Sequence, residues 1–247
     1  MPGPGADRPI QAVIFDLDNT LYDFMGAKEQ AVRAAIEAMI DAGLRLTSAQ
    51  AYERIRAIYD EKGIEYQKIF NAFLQQETGD VDDRMLAAAV VAYRRSRDGT
   101  LVLYPHVLST LNRLLKDGYR LAALSDAPRF EAWVRLCMLG LHHAFDHVLT
   151  FTDTGLRKPR PEPFRLVLER LAVRPAQAVM VGDWPERDVA GAKQAGIRTV
   201  YARYGDKYPS ADRARRESSG ADFDIDDLQE LLDVLARLNA GAGGTAA

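Results

Sequence analysis

The sequence AVIFDLDNT occupies residues 12–20 and joins a short apolar run to a cluster of acidic and polar side chains. The run 12–15 shows no alternation of polar and apolar residues, a pattern typical of a strand buried on both faces of a parallel sheet. We therefore expect Asp16 at the carboxyl end of a buried strand. Taken alone, Asp-x-Asp after a strand can also be turn chemistry, because Asp side chains accept hydrogen bonds from nearby backbone N–H groups.

A helical pattern replaces the strand pattern between residues 22 and 98. Apolar residues recur on one face of a first helix that ends at Gly43, and Thr47-x-x-Gln50 has the form of a capping box that opens a second helix. Further helical stretches follow at about 66–76 and 83–97. Because no strand pattern interrupts this block, we predict an all-helical cap domain, residues 22–98, inserted after the first strand.

After residue 99 strand and helix patterns alternate. Strands are predicted at 120–124, 148–151, 178–181 and 199–201, and helices at 106–116, 130–139, 163–171, 189–195 and 228–238. This alternation is typical of a doubly wound α/β sheet. We therefore predict a Rossmann-like, doubly wound parallel sheet built from residues 1–21 and 99–239, followed by a disordered tail at 240–247.

Composition and charge argue against several classes of protein. The 247 residues carry 32 basic and 35 acidic side chains, a formal net charge of -3, so no overall field favours nucleic acid or an anionic membrane. One cysteine excludes an internal disulfide framework. No apolar run approaches the roughly 18 residues of a membrane span, and residues 1–9 lack the order of a signal peptide. We expect a cytoplasmic monomer or homodimer with a small-molecule partner.

Polar side chains follow the first two strands of the predicted sheet. The first strand is followed by Asp16, Asp18 and Thr20, and the second by Ser125 and Asp126. Ligands of open α/β sheets bind outside the carboxyl ends of the strands, and N–H groups that head a helix can hold an anion. An ordinary N-cap would explain the second pair equally well.

The next two strands are also followed by charged residues. Lys158 comes several residues after the third strand and, in isolation, is an ordinary loop cation. Asp183 follows the fourth strand directly after Gly182, where the backbone must pass closely. Asp188 lies a little over one helical turn later and, in isolation, is an acid favoured by the helix dipole.

The combination is more informative than any single position. Magnesium takes hard oxygen ligands, which Asp16 and Asp183 could supply. A transferring phosphoryl group needs positive charge or donors on its oxygens, which Ser125 and Lys158 could supply. Asp18 adds a second carboxylate beside the first. Four strand ends with matching chemistry point to one magnesium-dependent phosphoryl-transfer site.

These residues resemble the motifs of the haloacid dehalogenase-like (HAD) hydrolase superfamily over nearly the whole chain. In the phosphatases of that superfamily, the residue matching Asp16 is the nucleophile and a metal ligand. The residue matching Asp18 is the general acid and base, and its backbone carbonyl binds magnesium. The four motifs occur in order as DLDNT at 16–20, Ser125, Lys158, and Gly182-Asp183 with Asp188.

The resemblance assigns roles to the remaining site residues and implies Mg²⁺ as the cofactor. Four residues are predicted to bind the substrate phosphate: Thr20, Ser125, Asp126 and Lys158. Four are predicted to hold magnesium: Asp16, Asp18, Asp183 and Asp188. The helical insertion looks like the small cap of the first subclass, which covers the site and selects the substrate.

The resemblance implies two in-line displacements through an aspartyl phosphate on Asp16. Asp18 would protonate the leaving alkoxide and then deprotonate the attacking water. A dehalogenase is disfavoured, because members that release halide lack this second acid. A phosphotransferase or phosphomutase and a non-catalytic phosphate-binding regulatory protein remain as alternatives.

The substrate prediction rests on less specific stretches. Residues 31–43, 131–136 and 200–205 look most like a small, chiefly archaeal branch assigned as glyceraldehyde 3-phosphate phosphatases. This resemblance implies a small phosphorylated metabolite, with glyceraldehyde 3-phosphate as the named candidate. Tyr22, Asp23, Arg129 and Trp184 adjoin motif residues and could border the substrate pocket.

Overall fold

The structure is a computed structural model that describes residues 9–206 and 218–240. The chain forms two compact units, one containing residues up to Asp23 and from Val102 onward, the other containing Phe24–Leu101. The tail predicted at 240–247 lies outside the described residues from position 241 on. In the described part, no helix combines the length and the apolar character that a membrane crossing requires.

A six-stranded parallel sheet forms the centre of the first unit. Its strands are β1 (Ala12–Phe15), β2 (Arg120–Leu124), β3 (His147–Leu149), β4 (Ala178–Gly182), β5 (Arg198–Ala202) and β6 (Phe223–Ile225). Their spatial order is β3-β2-β1-β4-β5-β6, and every neighbouring pair is parallel. This order confirms the predicted doubly wound α/β fold and places its topological switch point between β1 and β4.

Helices connect and follow these strands. In chain order they are α1 (Phe24–Asp41), α2 (Ser48–Lys62), α3 (Ile69–Thr78), α4 (Asp83–Thr100), α5 (Val107–Lys116), α6 (Arg129–Met138), α7 (Phe151–Thr154), α8 (Pro161–Leu171), α9 (Ala190–Gln194) and α10 (Leu231–Ala240). The last six belong to the first unit. The central strands β1 and β4 are continuous apolar runs, and every residue in them is buried, as expected for strands covered on both faces of the sheet.

The register of the central strands brings their carboxyl ends level. Phe15 of β1 pairs with Ala123 of β2 and with Val181 of β4. The ladder extends one residue further, where the Asp16 N–H donates to the Val181 carbonyl at 2.9 Å. Side chains that follow β1, β2 and β4 therefore start from one edge of the sheet.

Helices α1 to α4 make up the second unit and bury their apolar faces against one another. Its core includes Ile36 and Met39 of α1, Ile55 of α2 and Phe73 of α3. The predicted capping box of α2 is confirmed, because the Thr47 hydroxyl accepts from the Gln50 N–H at 3.2 Å and the Gln50 side chain accepts from the Thr47 N–H at 3.0 Å.

One predicted strand was too long, and one strand was missed. The strand predicted at 148–151 ends at Leu149, because Thr150 starts the short helix α7. The helix predicted at 189–195 is confirmed as α9 to within one residue at each end, and a single π-type turn, Pro185–Val189, precedes it. The strand β6 was missed, since it is three residues long and carries an exposed Asp224 between two apolar positions.

Candidate active site

Three buried carboxylates lie together at the switch point of the sheet. Asp16 follows β1, Asp183 follows β4, and Asp188 lies on the π-type turn that follows. One oxygen from each lies within 4.8 Å of the others, an arrangement that could hold a metal ion. Their residues are only 7%, 2% and 1% exposed, so water screens their mutual repulsion poorly.

A buried lysine contacts two of these three carboxylates. The Lys158 Nζ donates to Asp16 Oδ1 at 2.5 Å and to Asp188 Oδ1 at 2.6 Å. One ammonium therefore faces three carboxylates in a water-poor site. The remaining negative charge favours binding of a cation of higher charge.

The pKa values in the cluster reflect this burial and crowding. Burial and, to a smaller extent, the charge of Asp188 raise the pKa of Asp16 to about 7, against the lowering effect of Lys158. The pKa of Asp183 is raised well above its usual range by burial and by the charges of Asp16 and Asp188. Burial alone would lower the pKa of Lys158, but the two carboxylates it contacts raise it above its usual range.

One oxygen of Asp183 supplies a direct test of whether a metal fits. Asp183 Oδ2 is buried and has no hydrogen-bond donor among the described residues, while Oδ1 accepts from the Thr20 hydroxyl at 3.1 Å. An unsatisfied buried carboxylate oxygen is costly, and a divalent cation would satisfy it. The donor set of Asp16, Asp183 and Asp188 is all oxygen, as hard cations such as Mg²⁺ prefer.

Asp18 lies in a different environment from Asp16. Its carboxylate accepts from Arg135 Nη1 at 2.9 Å and 2.8 Å, one distance to each oxygen, and from the Tyr22 hydroxyl at 2.7 Å. Burial and the neighbouring Asp18 charge raise the pKa of Tyr22 well above its usual range, so the phenol remains a donor. The two carboxylates of the first motif thus have separate partners.

The residues after β2 hold the loops around the site. The Ser125 hydroxyl accepts from the Ala127 N–H at 3.1 Å. The Asp126 carboxylate accepts from the Lys158 N–H at 2.9 Å and from Arg187 at 3.3 Å. With its side chain engaged in this way, Asp126 would offer a phosphate its backbone N–H. Phosphate binding by both residues stays a prediction.

Sequence reasoning missed several residues that shape the first motif. Arg135 entered the sequence analysis only within the stretch 131–136 that resembles the archaeal branch. A charged residue on the apolar face of α6, beside Ala132 and Leu136, could have indicated a buried partner of opposite charge. The Tyr204 hydroxyl donates to the Thr20 carbonyl at 2.8 Å. A Cβ on Gly205 would lie 1.9 Å from the Asn19 carbonyl oxygen, so only glycine fits there without movement.

Known proteins resemble the chain over most of its length. Residues 10–196 match the family model described as haloacid dehalogenase-like hydrolase. A glyceraldehyde 3-phosphate phosphatase of Methanopyrus kandleri is 38% identical over 231 residues, which cover 93% of this chain and 98% of that protein. A protein of the same name from Methanothermobacter thermautotrophicus is 36% identical, covering 92% of this chain and 100% of that protein.

A solved structure shows a similar fold. The crystal structure of a HAD phosphatase from Thermococcus onnurineus superposes with a TM-score of 0.68 at 27% identity. The superposition covers 92% of this chain and 98% of that chain.

Proposed function

The chain belongs to the haloacid dehalogenase-like hydrolases, and from this membership we propose that it is a magnesium-dependent phosphatase of small phosphorylated metabolites. The observation that carries the proposal is the buried Asp16, which is contacted by Lys158 and clusters with Asp183, a residue with one buried, unsatisfied oxygen. A nucleophile, a phosphate-binding cation and an incomplete cation site thus meet at one sheet edge.

Asp16 is the proposed nucleophile. As an Asp16 oxygen bonds to phosphorus, the bond between phosphorus and the leaving oxygen breaks, and Asp18 gives its proton to that oxygen. Asp18 then takes a proton from the water that hydrolyses the aspartyl phosphate. Two carboxylates two residues apart therefore have different tasks.

Positive charge must offset the repulsion between Asp16 and an anionic ester. Lys158 is placed beside Asp16 and would move from carboxylate to phosphate contacts as substrate binds. When bound to Asp16, Asp183 and Asp188, with the Asp18 carbonyl as the family resemblance implies, Mg²⁺ would supply further positive charge at the phosphoryl oxygens.

Hydrolysis of an aryl phosphate with Mg²⁺ tests the proposed activity. We expect Asp16→Asn to lose at least about 10³-fold in kcat, because the covalent step is removed. Asp226→Asn is the control, since Asp226 is an exposed carboxylate paired with Arg203 on the surface. Equal activity of wild type and Asp16→Asn would contradict the proposal. Recovery of labelled phosphate on an added sugar, rather than as inorganic phosphate, would indicate a transferase instead.

The proposed substrate is glyceraldehyde 3-phosphate, the compound in the names of both archaeal relatives. The supporting observation is that these relatives align over more than nine tenths of the chain, which includes the helical unit. A screen of phosphorylated aldehydes, alcohols, sugars and sugar bisphosphates at fixed Mg²⁺ tests it. We expect the highest kcat/KM for the triose phosphate, and a rank below unrelated esters would contradict it.

A further inference from the structure

We propose that Arg135, together with Tyr22, positions the side chain of Asp18 for proton transfer. This inference rests on the proposed function, because it concerns the acid of the same reaction. Arg135 is on α6, 117 residues from Asp18 in sequence, and lies outside the four motifs. It acts through Asp18 and is therefore a positioning residue.

The geometry restrains the Asp18 carboxylate from two sides. Arg135 Nη1 donates to both oxygens, at 2.9 Å and 2.8 Å, and the Tyr22 hydroxyl donates to Oδ1 at 2.7 Å. The Arg135 side chain is 9% exposed and that of Asp18 is 19% exposed, so the pair is largely shielded from solvent. Tyr22 is completely buried. Three hydrogen bonds from two fixed donors restrict rotation of the carboxylate about its Cβ–Cγ bond.

Stability alone is a poor reason for this arrangement. A buried ion pair costs desolvation of both partners, and an apolar residue of similar size often gives equal or higher stability. The buried neighbours of Arg135 on α6, Ala132 and Leu136, are apolar, so an apolar side chain would suit this helix face. The charge at position 135 is better explained by its partner, a carboxylate in the first motif.

The chemistry explains what the contact contributes. When the bond between phosphorus and the leaving oxygen breaks, the Asp18 proton moves to that oxygen and Asp18 becomes a carboxylate. Arg135 offsets the negative charge that develops on Asp18, and the three hydrogen bonds keep the carboxyl group in one orientation. The contribution should be large when the leaving oxygen is basic and small when it leaves readily as an anion.

The dependence on the leaving group is therefore the test. We would measure kcat/KM for glyceraldehyde 3-phosphate, which releases an alkoxide, and for 2,4-dinitrophenyl phosphate, whose phenolate needs no proton. For Arg135→Gln we expect a loss of about 10²-fold on the alkyl ester and less than about 3-fold on the aryl ester. Tyr22→Phe should lose about 10-fold on the alkyl ester alone, and Arg135→Lys should recover part of the loss.

Arg113→Gln is the control, because Arg113 is an exposed arginine on α5 that pairs with Asp117. It should leave the ratio of the two kcat/KM values unchanged. Thermal unfolding of each variant separates a folding defect from a catalytic one, and Tyr22→Phe and Arg135→Lys carry the test if Arg135→Gln does not fold.

Equal losses of kcat/KM on both esters in Tyr22→Phe and Arg135→Lys would overturn the inference. A gain of kcat/KM on the alkyl ester would also overturn it, because it would mean that Arg135 and Tyr22 hold Asp18 in an inactive position. Asp16→Asn separates this failure from failure of the proposed function. If Asp16→Asn retains activity, the proposed function fails. If it is inactive on both esters while the Arg135 variants affect both equally, only the positioning role fails.

Discussion

Asp188 lies against Gly182 so closely that the glycine cannot be replaced without movement. A Cβ on Gly182 would fall 2.4 Å from Asp188 Cγ and 2.5 Å from Asp188 Oδ2. The other oxygen of Asp188 is the one that accepts from Lys158 at 2.6 Å. The absence of a side chain at position 182 is therefore what allows Asp188 to approach Lys158 and the cluster.

We expect Gly182→Ala to reduce kcat/KM for any phosphate ester by about 10²-fold, because it displaces Asp188 by roughly 1 Å. Steady-state kinetics with the aryl phosphate would measure this loss. Gly99→Ala is the control: Gly99 is in α4, and a Cβ there meets no atom within 4 Å. This control should keep full activity and unfold at the same or a higher temperature. Wild-type activity in Gly182→Ala would contradict the steric argument.

The short helix α7 separates β3 from the loop that carries Lys158. Its first turn is held by Asp153, whose Oδ2 accepts from the Thr150 N–H and hydroxyl, both at 2.8 Å. Arg129 donates to Asp153 Oδ1 at 2.6 Å. Burial would raise the pKa of Asp153, but the hydrogen bonds from Thr150 and Arg129 outweigh it and hold that pKa below its usual range.

This depressed pKa predicts a pH dependence of stability. A carboxylate whose folded-state pKa is lowered stabilises the fold above its unfolded pKa, and the stabilisation is lost as pH falls through the folded pKa. We expect Asp153→Asn to lower the free energy of unfolding by about 1 kcal/mol near pH 7. The difference in the free energy of unfolding between Asp153→Asn and wild type should decrease as the pH is lowered below about 4.

Urea unfolding at several pH values would measure this gap. Arg129→Gln keeps both Thr150 hydrogen bonds to Asp153, so its gap from wild type at neutral pH should be smaller. A gap for Asp153→Asn that stays constant down to the acid limit would mean that its ionisation does not stabilise the fold.

At the scale of the whole molecule, the carboxylate cluster should link metal binding to folding. Asp16, Asp183 and Asp188 are brought together only in the folded chain, since they come from β1, from the end of β4 and from the turn after it. A cation that binds this cluster binds the folded state in preference to the unfolded chain. Mass action then stabilises the fold by about 2.7 kcal/mol at 100 times the dissociation constant.

We therefore expect added Mg²⁺ to raise the unfolding temperature of wild type and to have little effect on Asp183→Asn. Without metal, we expect Asp183→Asn to unfold at a higher temperature than wild type, because the substitution removes a buried negative charge that repels Asp16 and Asp188. Differential scanning calorimetry with and without chelator would measure both effects. Asp226→Asn, an exposed carboxylate, should behave as wild type, and an equal Mg²⁺ response in Asp183→Asn would contradict the assigned site.

The sequence alone was sufficient for the fold class and the family, both of which are confirmed. Strands β1 and β2 were predicted at their observed bounds and β4 to within one residue, because a strand buried on both faces is a continuous apolar run that can be recognised locally. The motif residues were recognised by residue type and order along the chain. Short or polar elements such as β6 and α7 lack such a signal.

Contacts between distant residues emerged only from the tertiary structure. The strand order places β4 beside β1, and so brings Asp183 to Thr20, 163 positions earlier in the chain. The same folding brings Lys158 between Asp16 and Asp188, and Arg135 to Asp18. No local pattern encodes these pairs, because they depend on which strands and helices become neighbours. The sequence alone therefore identifies which residues can carry out the chemistry, whereas tertiary packing determines which side chains they contact and how deeply they are buried.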